Sequence, residues 1–232
     1  MKGNMKNRFL IIVVLISLYF AGCSPANAVL TPEYKNKKIS RQNLTIIRLF
    51  EEPSIDNTSD VIDDLGEGEP TEVYLSYFDK TFTTSFRNSS CFDKIYLVKN
   101  ISQTNLEKRE LAVNSREKMK MLLPKDSIRI ENDSIKTDYL LFVDKLKIHR
   151  TAGSSGSWIG TMHTGGSFPT LYHQINFVFW DNKQGKIISY GHVEDESIVI
   201  FAMTKSNWEF VIQGLTKKIL AYSPFVNPYL DY

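Results

Sequence analysis

The sequence predicts an α/β fold of the α+β sandwich kind: a mixed sheet of about five strands with helices packed on it, in the order β-α-β-α-β-β-β-α. Three observations carry this expectation. Residues 138–149, DYLLFVDKLKIH, are apolar on both faces over their first half, as in a strand central to a sheet. Two alternating runs, YHQINFVFWD and KIISYGHVED, meet at Asn182-Lys183-Gln184-Gly185, a hairpin followed by the last helix. Apolar residues recur at spacings of three and four from Val73 and again from Trp208, the period of helices with one buried stripe.

In chain order, the first strand is expected over Leu44 to Phe50, LTIIRLF. The run from Glu51 to Glu72 holds nine acidic residues and no basic one. An acidic docking surface is one reading, and a solvated loop is the expectation. A helix starts near Pro70 or Thr71, where Val73, Tyr74, Tyr77, Phe78, Thr81, Phe82 and Ser85 recur at spacings of three and four. FDKIYLV, residues 92–98, is a strand by its β-branched and aromatic content. A second helix is expected over Leu106 to Leu122, stopped by Pro124. In the carboxyl-terminal hairpin, pairing Asp181 with Lys186 sets Phe179 beside Ile188, Phe177 beside Tyr190 and Ile175 beside His192, on the face that meets the helices. The last helix opens on a capping box, Ser206 to Glu209, and its stripe is Trp208, Val211, Ile212, Leu215, Ile219 and Leu220.

The amino end is built differently. Lys2, Lys6 and Arg8 precede an apolar run of 12 residues, Phe9 to Phe20, followed by Ala21 and Gly22. That is the layout of a secretory signal, and the run is short of the roughly 20 residues a membrane-spanning helix needs. Phe20-Ala21-Gly22-Cys23 resembles the lipobox of bacterial lipoproteins, with Phe20 where leucine is commonest. The resemblance implies cleavage between Gly22 and Cys23, a diacylglycerol on the Cys23 sulfur and acylation of the freed amine. Ser24 follows where an aspartate would favour inner-membrane retention, so the expected address is the periplasmic leaflet of the outer membrane. In an organism without an outer membrane it is the cell membrane. The expected organisation is a signal over 1–22, a lipidated cysteine and tether over 23–43, one domain over 44–226 and a tail over 227–232.

Charge narrows the partners. The chain has 28 Lys+Arg and 26 Asp+Glu; the leader holds three of the basic residues and none of the acidic, leaving 25 against 26. Nothing in that balance recommends nucleic acid. With Cys23 consumed by lipid, Cys91 has no intramolecular partner and reads as a small buried hydrophobe.

Catalytic signals are weak. Ser115-Arg116-Glu117-Lys118 fits an S-x-x-K pattern but has no S-D-N or K-T-G companion. His149, His163, His173 and His192 are scattered, so no metal site is expected; a cross-strand set of His173, His192 and Glu194 is the one conceivable arrangement. No catalytic residue is assigned, and no cofactor beyond the covalent lipid on Cys23. The segment 150–170, RTAGSSGSWIGTMHTGGSFPT, sets Trp158, Ile159, Met162 and Phe168 in a Gly/Ser frame. These four are the candidate partner-binding residues; the alternative is that Trp158 and Ile159 fold back over the sheet edge.

TDYLLFVDKLKI, FVFWDNKQGKIISYG and TKSNWEFVIQGLTKKILAYSPF, spanning 137–225, resemble envelope lipoproteins with a fold like the TolB amino-terminal domain and the activator lipoproteins of cell-wall synthases. The resemblance implies an architecture and an address, and carries over no catalytic residue. The functional expectation is a membrane-anchored, non-enzymatic adaptor or accessory subunit of an envelope complex, with a protein partner. The alternative is an envelope hydrolase, or a lipoprotein binding a small ligand or metal.

Overall fold

A computed structural model describes residues 27–56, 58–99, 101, 106–130, 135, 137–153, 168–199 and 202–229, and the backbone of 157–159 and 162–164. The leader, the lipobox with Cys23, and the side chains of Trp158, Ile159 and Met162 lie outside the described residues.

The fold is α+β, a mixed seven-stranded sheet with helices on one face and a strand hairpin on the other. Its strands are β1 (Asn27–Leu30), β2 (Gln42–Arg48), β3 (Ser54–Ile55), β4 (Phe92–Lys99), β7 (Tyr139–Thr151), β10 (Thr170–Asp181) and β11 (Lys186–Ile198). They lie in the order β1-β11-β10-β7-β2-β4, and β3 also pairs with β7. β2 runs parallel to β4 and β7, while β7, β10, β11 and β1 are antiparallel in turn. Strand β7 therefore sits centrally, as its two-faced apolar sequence requires. Three helices complete the main layer: α1 (Ser59–Leu65), α2 (Pro70–Asn88) and α3 (Lys205–Ala221).

Helix α2 starts where Pro70 supplies a preset φ and the Glu69 carboxylate accepts the Glu72 amide at 2.9 Å. Tyr74, Phe78, Phe82 and Phe86 fall one turn apart and form an unbroken aromatic ladder against the sheet. Helix α3 buries Trp208, Val211, Ile212, Leu215 and Ile219, as the sequence predicts, whereas Leu220 is only half-buried. Its cap is Thr204, not Ser206. Thr204 takes the capping position because the Asn207 side-chain Oδ1 accepts its amide at 3.0 Å, the part expected of Glu209.

Four expectations are corrected. Residues 106–122 form no helix but a hairpin of β5 (Leu106–Ala112) and β6 (Lys118–Pro124). Lys118, Met119, Lys120 and Met121 alternate exposed and buried, and Met119, Met121 and Leu123 cover Phe142, Val178 and Trp180 on the sheet's second face. That packing overrides the helix propensity of Leu, Glu, Lys and Met. The acidic run is not all loop: β3 and α1 arise within it, Val61 is fully buried, Asp60 pairs with Arg150 at 3.0 Å and Asp64 accepts the Trp208 indole N–H at 2.9 Å.

Asn27–Leu30, which the sequence reading places in a tether, is an edge strand of the sheet. Gly191 of β11 lets it approach, since a Cβ there would press on the Asn27 carbonyl and Ala28. The carboxyl-terminal hairpin keeps the Asp181–Lys186 pair but has a bulge at Phe179/Trp180. Phe179 therefore faces Ser189, Phe177 faces Gly191 and Ile175 faces Val193. Ile175, Phe177, Phe179 and Ile188 belong to the helix-side core as expected, while Tyr190 and His192 turn to the other face.

Close packing of α3 on β11 depends on one residue. A Cβ at Gly214 would fall within the Asp195 carboxylate, which is itself paired with Lys218 at 2.7 Å. Glycine to alanine in a helix interior normally stabilises by about 1 kcal/mol. Here Gly214→Ala is expected to destabilise by about 1 to 3 kcal/mol in denaturant titration. Adding Asp195→Ala, which vacates the space, should recover part of that loss; a stabilised single variant would contradict this packing.

Candidate functional site: the overhanging end of the sheet

The three longest strands outrun their parallel neighbours. β7, β10 and β11 have 13, 12 and 13 residues, against 7 in β2 and 8 in β4. β2 leaves β7 at Val143, and β3 takes its place only at Lys147 and Ile148. At the far end Thr170 pairs with both Thr151 and Ile198, the Thr170 amide donates to the Thr151 hydroxyl at 3.1 Å, and the Val199 amide donates to the Pro169 carbonyl at 2.8 Å. This tied end carries a further hairpin, β8 (Ser157–Ile159) and β9 (Met162–Thr164), which pairs Trp158 with His163 and Ile159 with Met162. Beside it Phe168 is 58% and Ile198 48% exposed. The sequence signal for Phe168 was its Gly/Ser frame; Ile198 was missed because it closes an ordinary strand.

A polar row crosses the second face of the sheet where the β5–β6 hairpin stops covering it. Register places Asp144, Asn176, His192 and Asn27 side by side on successive strands. Asn27 Nδ2 lies 3.2 Å from His192 Nε2 and donates to Glu117 Oε2 at 3.1 Å. Burial holds the Asp144 carboxyl above the usual carboxylate range. Further along the same face, the His149 ring stacks on Tyr172 with centroids 4.6 Å apart and planes within 5°. The row can donate and accept hydrogen bonds, but it does not assemble the conceived metal set. His173 points to the helix side while His192 faces away from it, and no group of three metal-ligating side chains occurs among the described residues.

Other titratable groups are structural. His173 is fully buried between Tyr74 and Trp208, with ring centroids 5.8 and 5.6 Å away, and burial lowers its pKa to about 3. The carboxyl ends of β2 and β4, where parallel sheets often bind ligands, are occupied by an ion triad. Asp79 receives Arg48 at 3.2 Å and Lys99 at 2.8 Å, and Arg48 Nη1 also donates to the Phe50 carbonyl. Cys91 is buried and burial pushes its thiol pKa up, the state of an inert hydrophobe. Ser115 and Lys118 of the S-x-x-K match sit at the β5–β6 turn, where Lys118 pairs with Glu110 at 2.6 Å.

A cleft that the sequence did not signal runs between α2 and α3. One cavity of about 200 Å³ is lined by Ser85, Asn88, Ser89, Gln213 and Thr216, and an adjoining one of about 220 Å³ by Tyr77, Lys80, Thr84, Lys205 and Glu209.

No protein-family model and no curated protein matches this sequence. Among solved structures, the chain is similar to the PelC dodecamer from Paraburkholderia phytofirmans, at 8% identity and a TM-score of 0.40, covering 86% of this chain and 95% of that one. It is similar to the hypothetical protein CT253 from Chlamydia trachomatis at 10% identity and a TM-score of 0.41, over 78% and 95% of the two chains. A minor lipoprotein from Acinetobacter baumannii is similar at 11% identity and a TM-score of 0.33, over 78% and 90%. Likenesses of this size carry no functional inference.

Proposed function

We propose that this chain is a lipid-anchored accessory protein of the bacterial envelope, held through Cys23 and binding a protein partner with the overhanging end of its sheet. The observation that carries the partner-binding half is the tied strand end with exposed Phe168 and Ile198, between whose strands runs the connection that contains Trp158, Ile159 and Met162. Exposed apolar groups on a braced scaffold contribute to binding at little entropic cost, which favours a protein partner. The lipobox favours an envelope address, and Ser24 favours the periplasmic leaflet of the outer membrane. No helix among the described residues is long and apolar enough to cross a membrane. This reading calls for no cofactor besides the covalent lipid, and no nucleic acid.

Crosslinking in intact envelopes, followed by capture, tests the proposal. Replacing Trp158, Ile159 and Met162 together with serine, and separately Phe168→Ser, should each reduce capture of a stoichiometric partner at least tenfold while leaving the melting temperature nearly unchanged. Undiminished capture by normally folded variants would move the partner surface elsewhere. The α2–α3 cleft supports a second reading, a small polar ligand held by hydroxyls, amides and lysines. A small molecule retained stoichiometrically by the purified protein, with no captured partner, would favour it.

A further inference from the structure

We propose that the α2–α3 cleft binds an acidic saccharide, with its anionic group between Lys80 and Lys205 and its hydroxyls along Ser85, Asn88 and Gln213. The inference rests on the small-ligand reading of this cleft and gives that ligand a chemical class; it is independent of Cys23 and of the strand end. Both helices turn their apolar stripes to the sheet, Tyr74 to Phe86 on α2 and Trp208 to Ile219 on α3, so short polar side chains face each other above it. The cleft follows the two helices in the same sense. At one end the Tyr77 hydroxyl donates to the Lys205 carbonyl at 3.2 Å, and at the other Ser89 and Leu220 wall the same cavity. The cavities of about 200 and 220 Å³ share Ser85, Asn88 and Gln213, which makes them one elongated site.

The middle of the cleft calls for hydrogen-bond donors on the ligand. The Ser85 hydroxyl donates to the Thr81 carbonyl at 2.8 Å, the Ser89 hydroxyl to the Phe86 carbonyl at 2.6 Å, and Gln213 Nε2 to Glu209 Oε1 at 2.9 Å. With those hydrogens committed, both hydroxyls can only accept, and Gln213 Oε1 is a third acceptor. The side chains of Thr84 and Asn88 have no protein partner among the described residues. A molecule that satisfies this row carries several hydroxyls, and Tyr77 and Leu220 offer apolar surface to the CH faces of a sugar ring. Charge places the anionic group. Lys80 and Lys205 border one cavity, both are exposed, and neither has a carboxylate partner among the described residues; Lys205 Nζ sits 5.4 Å over the Tyr77 ring. The carboxylate on that wall, Glu209, is already engaged by Gln213. Lys217 stands at the other end, near the last carbonyls of both helices, whose partial negative charge its ammonium offsets. An anion is therefore better placed at Lys80 and Lys205.

The test applies the full chain, purified in detergent, to an array of short saccharides in matched neutral, uronic-acid and sugar-phosphate forms. Acidic forms should bind at least about tenfold more tightly than their neutral counterparts. Preference for uronic acids or for sugar phosphates then tells whether a carboxylate or a phosphate is the anionic group. The double change Lys80→Gln, Lys205→Gln should weaken acidic binding about tenfold or more at an unchanged melting temperature, since both side chains are exposed. Lys217→Gln removes the same charge from the other end of the cleft and should cost less than about threefold. An equal loss from Lys217→Gln would reduce the effect to general charge attraction and overturn the proposal. So would acidic binding undiminished in a folded Ser85→Leu variant, whose side chain fills the middle of the cleft. Neutral forms bound as tightly as acidic ones, and lost in Ser85→Leu, would overturn the acidic class and leave the small-ligand reading standing. No form bound would overturn the saccharide itself.

Discussion

Trp208→Ala is expected to destabilise the protein by about 3 to 5 kcal/mol, the cost of removing a large side chain from a site that cannot collapse. Trp208 is 1% exposed, its ring lies 5.5 Å from Tyr74 and 5.6 Å from His173, and its indole donates to Asp64 at 2.9 Å. The substitution would therefore open a cavity between α2, α3 and the sheet and release the contact that ties α1 to α3. Phe210→Ala is the internal control, because Phe210 lies on the same helix and is 60% exposed. Its effect should stay within about 0.5 kcal/mol. Denaturant titration of the two variants compares them directly, and similar costs would contradict the burial pattern of α3.

Acid should unfold the protein through His173. The imidazole is buried and its folded pKa lies near 3, below the ordinary 6.5, so the unfolded chain binds this proton first. Stability from this group is complete above 6.5 and is lost as pH falls toward 3, with a limiting slope of about 1.4 kcal/mol per pH unit. The loss would approach about 4 to 5 kcal/mol over the whole window, a large share of an ordinary domain's stability. Asp144 and Asp195 act with the opposite sign: burial raises their pKa values, so the folded chain takes up these protons first and these groups favour the folded state as pH falls. His173→Leu keeps the volume and removes the titration. Its stability should fall less steeply below pH 6.5 than the parent's, measured by denaturant titration at a series of pH values. Parallel profiles would place the acid sensitivity in other groups.

Much of the fold is legible in the sequence where one period dominates. The ladder from Tyr74 to Phe86, the stripe from Trp208 to Ile219 and the two-faced run at 139–143 each admit a single element type. The hairpin at 106–124 was not legible, because Leu, Glu, Lys and Met favour helices and only the contact of Met119 and Met121 with Phe142 and Trp180 makes them strand residues. The bulge at Phe179/Trp180 follows from filling both faces of the sheet at once, a constraint no local pattern records. Asn27–Leu30 reads as tether because a four-residue edge strand has no periodicity of its own; Gly191, 163 residues further on, is what admits it.

The candidate site divides in the same way. Phe168 stood out in its polar frame, whereas Ile198, the row Asp144, Asn176, His192 and Asn27, and the α2–α3 cleft exist only through register and helix packing. His173 shows the reverse: the sequence admits it to one conceivable ligand set, and in the fold it is a buried ring between Tyr74 and Trp208.

Acyl labelling tests the central claim most directly. Cells fed a clickable fatty acid analogue should label the parent protein and the Cys91→Ser variant equally, because Cys91 is 5% exposed and its thiol is held protonated. The Cys23→Ser variant should lose the label and accumulate as the longer precursor retaining residues 1–22. Label that persists in Cys23→Ser, or that is lost in Cys91→Ser, would contradict anchoring through Cys23 and the envelope address built on it.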